Sequence, residues 1–129
     1  MSSRAPALPL PPTSLIICTR NRASMLADTV ESILAGDTLP TEIVIVDQSD
    51  SSAEPLAAPW RDRGADIRYV WTSAAGLSRA NNVGVAAARH NVLVFTHDDV
   101  RVAASWFSTL VKALVEAGPR CVITGRVPP

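Results

Sequence analysis

The most regular feature of the chain is a series of short, largely apolar runs separated by polar segments. Runs of this length and composition are typical of strands in a sheet that is covered on both faces. Five of them predict strands over residues 14–18, 42–46, 67–71, 92–95 and 121–124. The stretch 48–59 is rich in Ser, Asp and Pro, and we predict a loop or irregular structure there.

Several of the segments between these runs carry apolar residues at helical spacing. They predict three helices, from Leu26 to a stop at Gly36, from Gly76 to about Arg89, and from Trp106 to Gly118. Short apolar strands that alternate with amphipathic helices favour an α/β fold, with a mostly parallel sheet flanked by helices. The carboxyl ends of parallel strands meet at one edge of the sheet, where ligands bind.

Composition and charge narrow the class of protein. The chain has 129 residues, 47% of them apolar and 19% charged, which suits one globular domain. We predict a disordered Pro-rich tail over 1–13 and a single ordered domain over 14–129. Lys plus Arg and Asp plus Glu number 12 each, so the charge balance gives no case for binding nucleic acid.

The chain also lacks sequence signals for export, a membrane span or a cysteine-based site. No apolar stretch approaches the ~18 residues typical of a membrane span, and the N-terminus does not resemble a signal peptide, so we expect a cytoplasmic protein. Cys18 and Cys121 lie in strand-like runs without ligand spacing. We predict two buried thiols rather than a disulfide or a metal site.

Two adjacent carboxylates, Asp98 and Asp99, directly follow the fourth predicted strand and its polar Thr-His end. The same sheet edge should collect Thr19 and Arg20 after the first strand and Asp47 after the second. Adjacent acids repel, so they need a cation, a hydrogen-bonding ligand or solvation. Because hard cations bind carboxylates together with substrate phosphates, this edge suits a phosphorylated ligand with a divalent metal.

Each candidate residue also has a purely structural explanation, which the sequence leaves open. Arg20 and Arg22 would serve equally as solvated loop charges, and Arg79 as an exposed residue of its helix. Asp47 is in a common position for a turn or helix cap. The acid pair would also suit the start of the following helix, and His97 is a metal ligand or a structural hydrogen-bonding group.

Four motifs in order resemble the family 2 glycosyltransferases with the GT-A fold. They are Cys18–Arg22, Ile43–Ser52, Gly76–Gly84 and Phe95–Asp99. The resemblance runs from Ser14 to about Val127. It implies that the chain forms the Rossmann-like, nucleotide-sugar-binding half of the GT-A fold, without the acceptor half. It also implies that the full-length protein is an inverting, metal-dependent glycosyltransferase.

The resemblance also implies roles for individual residues. The donor-binding residues would be Thr19, Arg20, Asp47, Arg79 and Asp98, while Asp99 would hold Mn²⁺ or Mg²⁺ on the donor diphosphate. In that scheme Thr19 and Arg20 line the nucleotide pocket, and Asp47 bonds the base, usually uracil. Arg79 contacts the nucleotide end, and Asp98 faces the ribose or sugar. A UDP-sugar is the implied donor, the acceptor is unidentified, and peripheral membrane association of a full-length protein is compatible with this family.

Two departures from the family pattern qualify this interpretation. The family often has Asp at the position of His97, and this chain offers no candidate for the general base that deprotonates the acceptor. We therefore expect the catalytic base downstream and predict that the isolated chain is inactive. The alternative is a non-catalytic nucleotide-sugar-binding or interaction domain on the same scaffold. A dinucleotide-binding Rossmann enzyme is disfavoured because no GxGxxG follows the first strand.

Overall fold

Strands and helices alternate along the chain as the sequence predicts. The computed structural model describes residues 10–73, 75–118 and 122–123. The strands are β1 (Thr13–Thr19), β2 (Glu42–Asp47), β3 (Asp66–Trp71) and β4 (Val92–Thr96). The helices are α1 (Ala23–Leu34), α2 (Leu77–Ala87) and α3 (Trp106–Ala117), with a short 3-10 helix over Glu54–Trp60.

The strands form one sheet in the order β3-β2-β1-β4, and every pairing is parallel. The register places Thr19 beside Asp47 and Asp47 beside Trp71, while Ile17 pairs with Thr96. The predicted α/β fold with a parallel sheet is therefore confirmed. The register also brings the ends of β1, β2 and β4 to the same edge.

Alternating side chains of the central strands form two separate apolar layers. One layer packs under α1 and α3 and contains Leu15, Ile17, Ile43 and Ile45 together with Val30 and Phe107. The other layer, Ile16, Val44 and Val46, packs against Ala80 of α2. Because neighbouring residues of a strand point to opposite faces, continuous apolar strands of this kind need helices on both faces. The sheet is thus covered on both sides of β1 and β2.

The structure differs from the sequence predictions at several boundaries. The predicted loop 48–59 contains the 3-10 helix, whose Ala57 and Trp60 are buried and anchor it to the core. The first strand begins at Thr13, inside the predicted tail, because Thr13 pairs with Val92 of β4, and its N–H also donates to Thr41 Oγ1 at 3.1 Å. Residues 1–9 of the tail lie outside the described part of the chain.

A further prediction concerns a fifth strand over 121–124. It falls largely outside the described residues, and Val122 and Ile123 belong to no element.

The sequence also predicts two buried thiols, of which Cys121 lies outside the described residues. Cys18 is only partly buried, and its thiol donates to Asn81 Oδ1 at 3.2 Å. Burial and the nearby Asp98 raise the pKa of this thiol to about 11, so it stays protonated at neutral pH.

Gly84 allows α2 to lie directly on the sheet, and its replacement gives a stability prediction. A Cβ at this position would lie 2.5 Å from Ile16 Cγ2 and 3.3 Å from Val46 Cγ2. Overpacking costs about 1–3 kcal/mol, and the better helix propensity of alanine recovers up to about 1 kcal/mol. We expect Gly84→Ala to lower the free energy of unfolding by about 1–2 kcal/mol in urea titrations.

A double-mutant cycle identifies the cause of that loss. Ile16→Ala removes the methyl group that the new Cβ would meet, so Gly84→Ala should cost clearly less in the Ile16→Ala background. Equal costs in the two backgrounds would show that the close contact is not the reason for glycine at this position.

Candidate functional site

Three loops meet at the carboxyl edge of the sheet and form the candidate site. The loop after β1 contains Arg20–Arg22, the loop after β2 runs from Gln48 to Ala53, and the loop after β4 begins at His97. Backbone bonds hold the first two together, since the Gln48 N–H donates to the Thr19 carbonyl at 2.9 Å. The edge is therefore built by chain segments that are distant in sequence.

The loop after β4, which we call the acid loop (His97–Arg101), is fixed by two threonines. Thr19 Oγ1 donates to Asp98 Oδ2 at 2.8 Å, and the Asp98 side chain is almost fully buried. Thr29 Oγ1 lies 2.8 Å from the Asp98 carbonyl oxygen and 2.7 Å from that of Val100. It also accepts from the Val100 N–H at 3.1 Å. These bonds orient Asp98 inward and leave the Asp99 side chain 49% exposed.

Arg22 faces both acids from the start of α1. Its Nη1 lies 3.5 Å from Asp98 Oδ1 and 3.6 Å from Asp99 Oδ2. The Asp98 carboxylate is thus shared, with one oxygen bonded to Thr19 and the other turned to Arg22. Thr19 and Asp98, predicted as parts of one site, are in direct contact.

Asp47 forms the buried centre of the loop after β2. Its Oδ1 accepts from the Ser49 N–H at 2.9 Å, and its Oδ2 accepts from the Tyr69 hydroxyl and from the Ala53 N–H. Burial raises the pKa of the Asp47 carboxyl, but the bonds from Ser49, Tyr69 and Ala53 outweigh burial and hold it below its usual range. Burial and the bond to Asp47 raise the pKa of Tyr69 to about 12. Asp47 is therefore ionised and Tyr69 neutral at physiological pH.

A cavity of about 350 Å³ opens between the loops after β1 and β2. Its walls include Thr19, Asn21, Asp47 and Ser49, with Leu26 of α1 beneath them. Asn21 has a positive φ of 53°, a conformation that Asn tolerates better than most residues. In that conformation its N–H donates to Ser49 Oγ at 2.7 Å, and its Oδ1 accepts from the Asp50 N–H at 3.1 Å. These hydrogen bonds join the two loops on one side of the cavity.

The remaining predicted residues lie at the rim. Arg20 and His97 are exposed, and Arg79 is exposed in the first turn of α2. Among residues 10–73, 75–118 and 122–123, neither arginine forms an ion pair with another side chain. The loop after β2 reaches the start of α2, because Gln48 Nε2 donates to the Gly76 carbonyl at 3.0 Å. The structure therefore groups Thr19, Asp98 and Asp99 closely and leaves the arginines free to meet a ligand.

Three contributors to this edge were not among the predicted site residues. Arg22 was weighed as a candidate but assigned no role at the site, although it belongs to the motif Cys18–Arg22. Thr29 had a usable signal, since it is a polar residue at the buried, helically spaced face of α1 beside Leu26 and Val30. Tyr69 had no such signal, because its bond to Asp47 depends on the pairing of β2 with β3.

The donor set at this edge fits a hard cation that is shared with a ligand. Within the described ranges, no group of three or more His, Cys, Asp or Glu side chains is placed to hold a metal ion. Mg²⁺ and similar cations commonly use one or two protein carboxylates and complete their shell with phosphate oxygens and water. Asp99, half-exposed beside the oxygen of Asp98 that is not bonded to Thr19, offers that kind of incomplete shell.

The described helices include none that is long and apolar enough to span a bilayer.

Comparison with known sequences identifies the class of protein that this edge belongs to. Residues 14–129 match the sequence model of Glycosyl transferase family 2, so the chain belongs to the family 2 glycosyltransferases. An uncharacterized glycosyltransferase of Bacillus subtilis, EpsJ, is 30% identical over 105 residues. That match covers 80% of this chain and 30% of EpsJ.

Solved structures of glycosyltransferases share the fold. The mannosyltransferase PcManGT from Pyrobaculum calidifontis, in complex with GDP-Man and Mn²⁺, superposes with a TM-score of 0.72 at 25% identity, over 85% of this chain and 33% of that one. TarS of S. aureus in complex with UDP-GlcNAc gives a TM-score of 0.69 at 17% identity, over 87% and 37% of the two chains. The chain thus spans about a third of the length of each of these proteins.

Proposed function

We propose that residues 14–129 form the donor-binding domain of a glycosyltransferase that takes its sugar from a nucleotide-sugar. The observation that carries this proposal is the acid loop, with Asp98 fixed by Thr19 and Asp99 exposed beside it, next to a cavity at the carboxyl edge. Family membership supports the reaction class, and the complexes of PcManGT and TarS support a nucleotide-sugar as donor.

The nucleoside is proposed to occupy the cavity between the loops after β1 and β2. Thr19 and Arg20 would line its entrance, and Asp47 would accept from an N–H group of the base. A carboxylate kept ionised by its surroundings is a strong hydrogen-bond acceptor. UDP is the nucleotide favoured by the family resemblance, whereas GDP-Man is the ligand of PcManGT, so both bases belong in the test.

The diphosphate is proposed to lie over the acid loop. Asp98 would contact the ribose or sugar, Asp99 would hold Mn²⁺ or Mg²⁺, and Arg79 would approach the nucleotide from the start of α2. A divalent cation bound at Asp99 would neutralise the charge that develops on the leaving nucleoside diphosphate. The protein's part is to position these carboxylates: Thr19 fixes the side chain of Asp98, and Thr29 fixes the backbone on both sides of Asp99.

Transfer with inversion at the sugar needs a base to deprotonate the acceptor hydroxyl as it attacks the anomeric carbon and the bond to the diphosphate breaks. We propose that this base and the acceptor site belong to other parts of a longer protein. The match to EpsJ, which covers only 30% of that protein, is in keeping with this. A cytoplasmic location and peripheral membrane association of such a protein stay predictions from the sequence.

Calorimetry on the chain tests the donor proposal. We expect UDP or a UDP-sugar to bind in the presence of Mn²⁺ and about 100-fold more weakly after Asp99→Ala, because the metal-mediated contact to the diphosphate is lost. Asp66→Ala is a matched control, since it removes an exposed carboxylate at the start of β3, on the opposite edge of the sheet from the acid loop. Failure of UDP, GDP and their sugars to bind with Mn²⁺ would overturn the proposal. Binding without transfer by a longer protein that contains an acceptor half would favour the non-catalytic alternative.

A further inference from the structure

Arg22 occupies a defined position between the helix α1 and the acid loop. It is the residue directly before α1, and its carbonyl accepts from the Leu26 N–H at 2.9 Å, so the helix fixes its backbone. Its side chain is 52% exposed and projects towards Asp98 and Asp99. The backbone is therefore anchored while the guanidinium has room to change position.

The oxygens that face Arg22 are the ones a divalent cation would need. Asp98 Oδ2 is already bonded to Thr19, so Oδ1 is the oxygen left for another ligand. Arg22 Nη1 lies 3.5 Å from that oxygen and 3.6 Å from Asp99 Oδ2. A cation held by Asp99 beside Asp98 would thus compete with the guanidinium of Arg22 for the negative charge of this pair.

The contacts of Arg22 are weak enough to be exchanged. Strong charge-assisted N–H···O bonds are about 2.7–2.9 Å long, and both distances here are clearly longer. The pair with Asp99 is also exposed on both sides, and exposed ion pairs contribute little to stability. Arg22 therefore reduces the repulsion between the acids without locking them.

We propose that Arg22 is the resident counter-ion of the acid pair, which gives way to the divalent cation and then binds the donor diphosphate. The inference rests on the proposed donor-binding function. A guanidinium displaced from carboxylates finds its best alternative partner in phosphate oxygens, which it binds with two parallel bonds. The exchange would make the binding of the cation and of the diphosphate mutually dependent. Arg22 would oppose a cation that binds without nucleotide, and it would favour the cation once the diphosphate is present.

The test compares the wild type with Arg22→Gln and a control, Arg63→Gln, in direct binding measurements. Arg63 is an exposed arginine whose Nη1 lies 3.0 Å from Glu31 Oε2, so its replacement removes the same charge and a similar ion pair outside the acid loop. Electron paramagnetic resonance, which detects free Mn²⁺, gives the affinity for Mn²⁺ in the absence of nucleotide. Calorimetry gives the affinity for UDP at saturating Mn²⁺. Circular dichroism confirms that each variant is folded.

Arg22→Gln should bind Mn²⁺ alone about threefold to tenfold more tightly than the wild type, the range expected from losing two long ion pairs of an exposed arginine. The same variant should bind UDP at saturating Mn²⁺ about tenfold more weakly, since the diphosphate loses a charged partner. Arg22→Lys, which keeps the charge, should retain the weak affinity for Mn²⁺ alone. Arg63→Gln should match the wild type in both measurements.

Other outcomes separate this inference from the donor proposal. A wild type that binds neither Mn²⁺ nor UDP would overturn the donor proposal and the inference with it. A wild type that binds both, with Arg22→Gln equal to Arg63→Gln, would overturn the inference alone. Weaker binding of Mn²⁺ by Arg22→Gln would also overturn it, because Arg22 would then merely hold the acids in place.

Discussion

Replacing Thr29 with valine is expected to lower the free energy of unfolding by about 2–3 kcal/mol and to weaken nucleotide binding about tenfold. Valine keeps the shape of threonine but removes the hydroxyl that contacts the backbone of Asp98 and Val100. A buried backbone group left without its partner costs about 1–3 kcal/mol. The acid loop would relax, so Asp98 and Asp99 would no longer be held in one arrangement.

Thr29→Ser is the matched variant for this prediction. It keeps the hydroxyl and loses only a methyl group, so we expect most of the stability and the nucleotide affinity to be retained. Urea unfolding gives the stability, and calorimetry with UDP and Mn²⁺ gives the affinity. A larger stability loss in Thr29→Ser than in Thr29→Val would show that packing of the methyl group, and not the hydroxyl, is what α1 contributes to the acid loop.

Glu42→Ala should be the most destabilising of the substitutions considered, at about 3–4 kcal/mol. Glu42 is fully buried at the opposite end of the sheet, where its carboxylate accepts from Ser14 Oγ at 2.6 Å, the Arg89 N–H at 3.0 Å and Arg68 Nε at 3.2 Å. Breaking a buried ion pair by removing one partner costs about 3–5 kcal/mol. The partial exposure of Arg68 places the expected loss at the lower end of that range.

The contribution of Glu42 should also depend on pH. Burial raises the pKa of its carboxyl, but the bonds from Ser14 and Arg89 and the charge of Arg68 outweigh burial and hold the pKa below its usual value. A depressed pKa in the folded state adds stability that is complete above the ordinary pKa of glutamate, about 4.3, and is lost as the pH falls through the lower folded value. The stability difference between the wild type and Glu42→Gln should therefore shrink below about pH 4.

Glu31→Gln provides the control for Glu42. Glu31 pairs with Arg63 at 3.0 Å, but both side chains are well exposed, so its loss should cost less than about 1 kcal/mol. A similar loss from the two glutamine variants at pH 7 would contradict the role assigned to the buried carboxylate.

The fold was accessible from sequence because its strands and helices have different apolar periods. The strands of the sheet and the buried face of α1, with Leu26, Val30 and Ile33, follow directly from those patterns. The 3-10 helix at Glu54–Trp60 was missed because turn-forming residues conceal two buried anchors, Ala57 and Trp60. Periodicity detects a repeated apolar face, whereas that segment is held by single residues.

The candidate site was only partly accessible for a different reason. Residues at strand ends, such as Asp47, Asp98 and Asp99, follow from the topology of a parallel sheet. The groups that position them do not, since Thr29 reaches the acid loop across 69 residues of sequence and Tyr69 reaches Asp47 from a neighbouring strand. A sequence pattern indicates which residues share an edge, but hydrogen-bond partners depend on how the elements pack.

The strand order has a consequence for the timing of folding. β1 lies between β2 and β4, and the contact that aligns the acid loop joins Thr19 to Asp98, 79 positions later in the chain. Contacts of such separation form late, because the intervening chain must first lose its conformational freedom. During synthesis, β1, β2 and β3 would emerge before β4. The proposed affinity for nucleotide would then appear only when β4 joins β1, so ligand binding would report the pairing of these two strands.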